Sequence, residues 1–244
     1  HDHPNVQLFF QGRRDVDCNY PQLYGFHRVG NDPSLAPNQA DSCFVFYPAR
    51  SSFREGLMRL LPGIALPERL YNMRIGPALV RGGVQTLFRQ PSVQDFVKRL
   101  WGIVVILGKP RSRGRLWLES ADPRVPASID PGYFADPEDL RTLLNGVTLA
   151  RDVANCDPLR GFGSKELLPG PLNRNLKRWA RKNVMTTYHY AGTCALGEVV
   201  DLDLCVRGIE GLRVADASVM PITPVAALNA PSMMIALRAA QRMS

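Results

Sequence analysis

Lysine is scarce in this 244-residue chain: Lys98, Lys109, Lys165, Lys177 and Lys182 stand against 25 arginines, and with 22 acidic residues the formal net charge is +8. These basic residues are scattered along the chain rather than bunched, which reads as a solvated surface and argues against a nucleic-acid partner. Cys-x-x-Cys pairs are absent. The five cysteines (Cys18, Cys43, Cys156, Cys194, Cys205) are widely spaced and odd in number, a pattern that suits neither a zinc site nor a disulfide framework. Reduced thiols in a cytoplasmic protein, with no bound metal, are therefore expected. Long apolar runs are missing too: stretches such as "GIVVILG" at 102–108 fall far short of the roughly 20 residues of a membrane helix, so no membrane span is expected. No secretory leader is recognisable. The chain does not open on Met, and "HDHPNVQ" carries no start signal for a helix or strand, so a piece of a longer protein is expected. Histidine is rare, with only His1, His3, His27 and His189.

What is present supports a sizeable core, since 45% of the residues are hydrophobic and the length suits one large or two modest domains. "VQLFF" (6–10) and "CFVFYP" (43–48) read as strands, and the text between them as short alternating segments broken by Pro and Gly. From Ser51 to about Arg99 the pattern is helical, with Pro62, Pro67, Pro77 and Pro91 expected to chop it into short helices. Residues 102–120, two β-rich runs around a basic loop ending in Gly114, read as a hairpin. Asp136, Pro137, Glu138 and Asp139 start a helix, with a cap, a proline at the first position and acids at the positive end of the dipole. Leu140, Leu143, Leu144, Val147 and Ala150 then recur on one face of it. Residues 173–185 predict a basic amphipathic helix that buries Leu176, Trp179, Ala180 and Val184. Residues 211–218 ("GLRVADAS") predict a buried strand, and 229–243 a closing helix capped by Asn229.

An acid and small residues ending a strand, then a loop, then a capped helix, suit an anionic cofactor: Asp216 can accept from hydroxyls, and the helix start offers unpaired amides. Alone the pattern is common, and His189 within "TTYHYAGTC" reads equally as a packed core histidine. Three blocks together are more specific. "HYAGTCALG", "VVDLDLCVRGIEGLRVADASVMPITP" and "NAPSMMIALRAAQ" resemble, in order and spacing, the C-terminal signature of the glucose-methanol-choline oxidoreductase family, flavoenzymes that oxidise alcohols with FAD. Upstream, "GKPRSRGRLWLESADPRVPASIDPGYFADPEDLRTLLNGVTLAR" is similar to that family's Pro-Lys-Ser-Arg-Gly strand and the helix after it, and "HDHP" to the end of its Asn-Leu-x-Asp-His-Pro segment.

The resemblance implies an α+β fold in which residues 6–186 form a substrate-binding domain, an antiparallel sheet backed by helices. Residues 187–244, with 1–5, belong to an FAD-binding α/β domain whose N-terminal part is absent. Accordingly the family's Gly-x-Gly-x-x-Gly fingerprint does not occur; "GFGS" (161–164) and "RGG" (81–83) lack its three glycines and context. The resemblance implies oxidation of a small-molecule primary or secondary alcohol to a carbonyl by hydride transfer to FAD, with His189 as proton acceptor. It leaves the alcohol and the electron acceptor open. Gly192, Thr193, Asp216, Ala217, Ala227, Leu228 and Asn229 are the expected cofactor contacts. Ala227 stands where the family usually has a second catalytic His or Asn, so Tyr188 and Asn229 are the candidates to support His189. His1 and His3 fall to a connecting segment, and His27 to a structural or substrate-side role. Two alternatives remain: "YHYAGTC" is also similar to the motif of plant hydroxynitrile lyases, which keep FAD without using it for redox chemistry, and Ala227 with the missing fingerprint fits a truncated binding module.

Overall fold

The computed structural model describes residues 1–15, 18, 22–71, 73 and 75–243. In chain order it contains β1 (Pro4–Gln11), β2 (Leu23–His27), β3 (Ser42–Pro48), α1 (Arg50–Ala65), α2 (Glu68–Tyr71), α3 (Ile75–Leu87), α4 (Pro91–Val97), β4 (Leu100–Leu107), β5 (Arg115–Trp117) and β6 (Ser128–Asp130). There follow α5 (Pro137–Ala154), α6 (Asp157–Phe162), β7 (Lys165–Leu168), α7 (Leu176–Asn183), β8 (Met185–Thr186), a 3-10 turn at Ala217–Val219 and α8 (Asn229–Met243). The main sheet is antiparallel with order β2-β3-β4-β1-β7, and β8 also pairs with β1. Part of the alternating text expected between Gly12 and Gly30 lies outside the described residues; the rest supplies the edge strand β2.

Strands β1 and β4 are central; β4 is an unbroken apolar run, whereas β1 is apolar on the Val6, Leu8 and Phe10 face and carries Asn5 and Gln7 beside Phe9 on the other. Val6, Leu8 and Phe10 stand opposite Val105, Ile103 and Trp101 and face α5 and α7, with Phe10 stacked on Trp101 at 4.5 Å. On the other face Phe9, Tyr47 and Leu100 pack beneath the helical segment with Phe53, Phe88 and Phe96. The helices back the sheet as the sequence predicts. Asp136 accepts from Glu138 N (2.8 Å) to open α5, Leu143 and Val147 are fully buried, and Gly146 lies so close to the sheet that a Cβ would meet Val105 at 2.7 Å. In α7, Ala180 is buried while Leu176, Trp179 and Val184 pack at the core's margin.

Four local expectations are corrected. Residues 102–120 are not a hairpin, because both edges of β4 are already taken by β1 and β3. The chain after β4 is held instead by Asp139, whose carboxylate accepts from the amides of Arg111 and Ser112 (both 2.8 Å), and β5 pairs with β6. Pro62 does not break α1 but lies within it; the Met58 carbonyl that the missing N–H leaves unpaired accepts from Arg81 Nε at 3.4 Å. Residues 211–218 are not a buried strand. They make one bridge, Cys205 to Arg213, and then turn at Asp216. Finally, the carbonyl that opens α8 is that of Leu228, bonded to Ser232 N at 2.9 Å, so Asn229 is the first helical residue rather than the cap. Among the described residues no helix is long and apolar enough to cross a membrane.

The packing of α5 makes a direct prediction. Leu143→Ala empties a fully buried position and should cost about 2–5 kcal/mol, whereas Leu144→Ala at the margin should cost clearly less. Equal losses in denaturant unfolding would contradict this orientation of α5.

Candidate active site

Three distant segments meet around His189. Residues 185–191 run antiparallel to residues 1–5: Pro4 pairs with Thr186, Thr187 N and Oγ1 both donate to His3 O (3.3 and 2.9 Å), and Ala191 N donates to His1 O (2.9 Å). The chain then docks on a third segment, with the amides of Gly192, Cys194 and Leu196 donating to the carbonyls of Ala217, Ser218 and Val219 (3.3, 2.9 and 2.9 Å). Gly192 has φ +84° and lies close to this segment, since a Cβ there would meet Met220 O at 3.2 Å; its left-handed backbone favours glycine. Ala191, Met220 and Leu228 form a small buried cluster beneath the loop.

His189 is half-buried, and its Nδ1 lies 3.1 Å from Nδ1 of His3, with the rings edge to face at 5.2 Å. His3 is fully buried, and its Nε2 is 2.9 Å from Thr223 Oγ1. Thr223 Oγ1 in turn lies 3.3 Å from His1 Nε2. Burial, with His189 beside it, lowers the His3 pKa to about 4, so both rings are neutral at physiological pH; burial also lowers that of His189, opposed by the nearby carboxylate of Asp2. Two neutral imidazoles share one proton between facing nitrogens. When His189 is the Nδ1–H donor, its Nε2 lone pair is available to accept a proton, and His3 donates from Nε2 to Thr223. Lys109 closes the far end of the chain, donating from Nζ to Thr223 O at 2.5 Å; burial lowers its pKa.

The other expected residues fall into place unevenly. Gly192 and Ala217 are joined by the main-chain bond above, and Leu228 is in the buried cluster. Thr193, Ala227 and Asn229 are exposed. Asp216 is exposed, and its Oδ1 accepts from Ser218 N and Oγ (2.8 and 2.5 Å), capping the 3-10 turn. Tyr188 and Tyr190 are both exposed and stand edge to face at 6.5 Å. His27 ends β2, three strands from β1 in the sheet. Asp2, His3 and Thr223 escape the sequence reading as site residues. Their signal, "HDHP" at one end and "PITP" at the other, was present, but their pairing with position 189 is visible only in space.

The model of the GMC oxidoreductase family matches residues 110–236, a little over half of the chain. Among curated proteins, the chain is 39% identical over 139 residues to an alcohol dehydrogenase [acceptor] of Pseudomonas putida, covering 54% of this chain and 25% of the relative. It is 40% identical over 141 residues to a choline oxidase of Arthrobacter globiformis (53% and 26% covered). It is 38% identical over 142 residues to a chloroplastic fatty acid photodecarboxylase of Chlamydomonas reinhardtii (54% and 23%). Among solved structures, formate oxidase of Aspergillus oryzae superposes with TM-score 0.71 at 21% identity, covering 99% of this chain and 46% of that one. Pyridoxine 4-oxidase of Mesorbium loti superposes with TM-score 0.69 at 20% identity (99% and 42%). The chain thus covers about a quarter of these curated relatives and less than half of these structures.

The lowered His3 pKa has a consequence for stability. A histidine held neutral in the fold must be charged as pH falls, so its burial costs nothing above the ordinary value of 6.5 and increasingly destabilises the fold down to about pH 4, by about 3 kcal/mol. His3→Gln should flatten the loss of denaturant stability between pH 6.5 and 4; an unchanged slope would show that His3 is not held neutral.

Proposed function

Because the chain belongs to the GMC oxidoreductase family, we propose that it is the substrate-domain and C-terminal flavin-domain portion of an FAD-dependent enzyme that oxidises a primary or secondary alcohol to a carbonyl. The observation that carries this reading is His189: a half-buried, neutral imidazole with Nδ1 on His3 and Nε2 able to accept a proton. The substrate domain is residues 6–186, and residues 1–5 with 187–244 belong to the flavin domain. In support, β8 is the last segment to pair with the sheet, and the chain leaves the sheet at 187.

The residues present fit a flavin edge. Helix α8 is fifteen residues long with no acid in its first turn, so the positive end of its dipole is uncompensated. Ala227 and Asn229 at that end are exposed, and the small side chain of Ala227 leaves room beside it. Met233, Met234 and Leu237 of the same helix, with Ile222 before it, are exposed apolar residues against which the rest of a flavin domain would pack. FAD, when bound, supplies the hydride acceptor for alcohol oxidation. His189 takes the hydroxyl proton as the C–H hydride leaves, so that the carbonyl forms without first being protonated. His3 and Thr223 hold the imidazole in the tautomer that permits this. The first-turn amides of α8 favour negative charge at their end of the site. The second imidazole near His189 comes from His3, whereas position 227 contributes only space. The site takes a small alcohol, in a cytoplasmic protein.

In the full-length, FAD-loaded protein, His189→Ala should slow anaerobic flavin reduction by alcohol about 10²–10⁴-fold with FAD retained. Reduction at the wild-type rate would remove His189 from the chemistry. A wild-type flavin that stays oxidised with every alcohol offered would instead favour the lyase.

A further inference from the structure

Three non-glycine residues among those described have positive φ, and two of them, Phe134 (61°) and Tyr188 (62°), lie on either side of one buried carboxylate. Such backbones cost on the order of 1–3 kcal/mol each and persist where surrounding contacts impose them. On the first side, the turn before α5 is tied by Gly132 N to Asp130 Oδ1 (2.9 Å). Gly132 itself has φ +61° and lies against Arg113 O, where a Cβ would come within 2.6 Å. The turn buries Phe134, with the Arg181 guanidinium 5.7 Å from its ring centre, and directs the Tyr133 hydroxyl onto Asp2 Oδ2.

Asp2 is 4% exposed. Its Oδ1 accepts from the amides of His3 (2.8 Å) and His189 (3.1 Å). Thr186 Oγ1 accepts from the amide of Tyr188 at 2.7 Å, and the Thr186 side chain opposes, without outweighing, the effects that raise the Tyr133 pKa. Two sets of bonds therefore reach the loop: Tyr188 N–H to Thr186, and His189 N–H to Asp2, which Tyr133 holds by its other oxygen. Two successive amides of the loop are thereby fixed, and the left-handed turn at Tyr188 is the strain that these bonds hold.

We propose that Asp2 and Tyr133 are positioning residues for His189, the carboxylate fixing the loop at the His189 amide and the phenol fixing the carboxylate, so that the imidazole meets substrate at one angle. This rests on the reading of His189 as the proton acceptor. Neither residue touches substrate. The pair also gives the ring a signed electrostatic environment. The charge of Asp2 favours protonated His189 against the burial that disfavours it, and the Tyr133 hydrogen bond draws off part of that charge. Burial and the adjoining carboxylate push the Tyr133 pKa up, so the hydroxyl stays protonated as a donor. The other titratable and charged groups of this region are His1 and His3 before β1, Lys109 and Arg113 after β4, and Tyr188 and Tyr190 on the loop itself. Substitution at Asp2 or Tyr133 leaves all of them in the chain.

Tyr133→Phe removes one donor from Asp2 and should raise the proton affinity of His189. Asp2→Asn keeps an acceptor oxygen for the two amides but removes the charge, and should lower it. The test is ¹⁵N-histidine NMR titration of His189 in the full-length, FAD-loaded protein, alongside the pH profile of flavin reduction. The expected result is midpoint shifts of opposite sign, each about half a unit or more, with reduction at optimal pH slowed about tenfold in Tyr133→Phe. Shifts of the same sign, or none, would overturn the proposal, because simple loosening exposes the ring to water in the same way in both variants. If Asp2→Asn does not fold, a midpoint that falls or stays unchanged in Tyr133→Phe still overturns the proposal. If His189→Ala reduces flavin at the wild-type rate, the base assignment fails, while the NMR titration still decides whether the pair positions the ring.

Discussion

The site depends on the antiparallel main-chain pairing of residues 1–5 with residues 185–191. Those bonds close a loop of more than 180 residues, at an entropic cost on the order of 5 kcal/mol for the length alone. No single backbone bond offsets that. The sheet does: β1 lies between β4 and β7 with Val6, Leu8 and Phe10 buried, so its position is set by the core and not by its bonds to residues 185–191. The segment ahead of β1, carrying Asp2 and His3, is thereby a rigid template on which the His189 loop is laid.

Burying three polar side chains at one spot, Asp2, His3 and Thr223, is costly unless each finds partners. Each does: Asp2 binds two amides and a phenol, His3 binds His189 and Thr223, and Thr223 binds both His3 and, through its carbonyl, Lys109. A network satisfied in this way admits few alternative geometries. Its requirements also explain the backbone: Gly192 and Tyr188 take left-handed conformations on either side of His189 because the chain must touch residues 1–3 and then reverse at once onto residues 217–219.

Elements whose neighbours are local were legible in the sequence. Helix α5 announced its cap at Asp136 and its buried stripe, and β1, β3 and β4 announced themselves as apolar runs. The family resemblance named His189 and the blocks around it. The failures share a cause, which is that pairing is not local. Whether residues 115–117 fold back on β4 depends on β1 and β3 having taken its edges, and whether Pro62 ends a helix depends on Arg81 reaching the Met58 carbonyl. The same holds at the site. Nothing in "HDHP" says that residue 189 lies beside His3, and nothing in "VADAS" says that Ser218 bonds one oxygen of the Asp216 carboxylate.

In the proposed site one nitrogen of the His189 imidazole is committed to His3, leaving the other for substrate. A crystal structure of the full-length, FAD-loaded protein with an unreactive alcohol analogue tests it most directly. His189 Nε2 is expected within about 2.6–3.2 Å of the analogue hydroxyl while Nδ1 remains hydrogen-bonded to His3. A ring turned away from the analogue, or separated from His3 with the hydroxyl held by other groups, would contradict it.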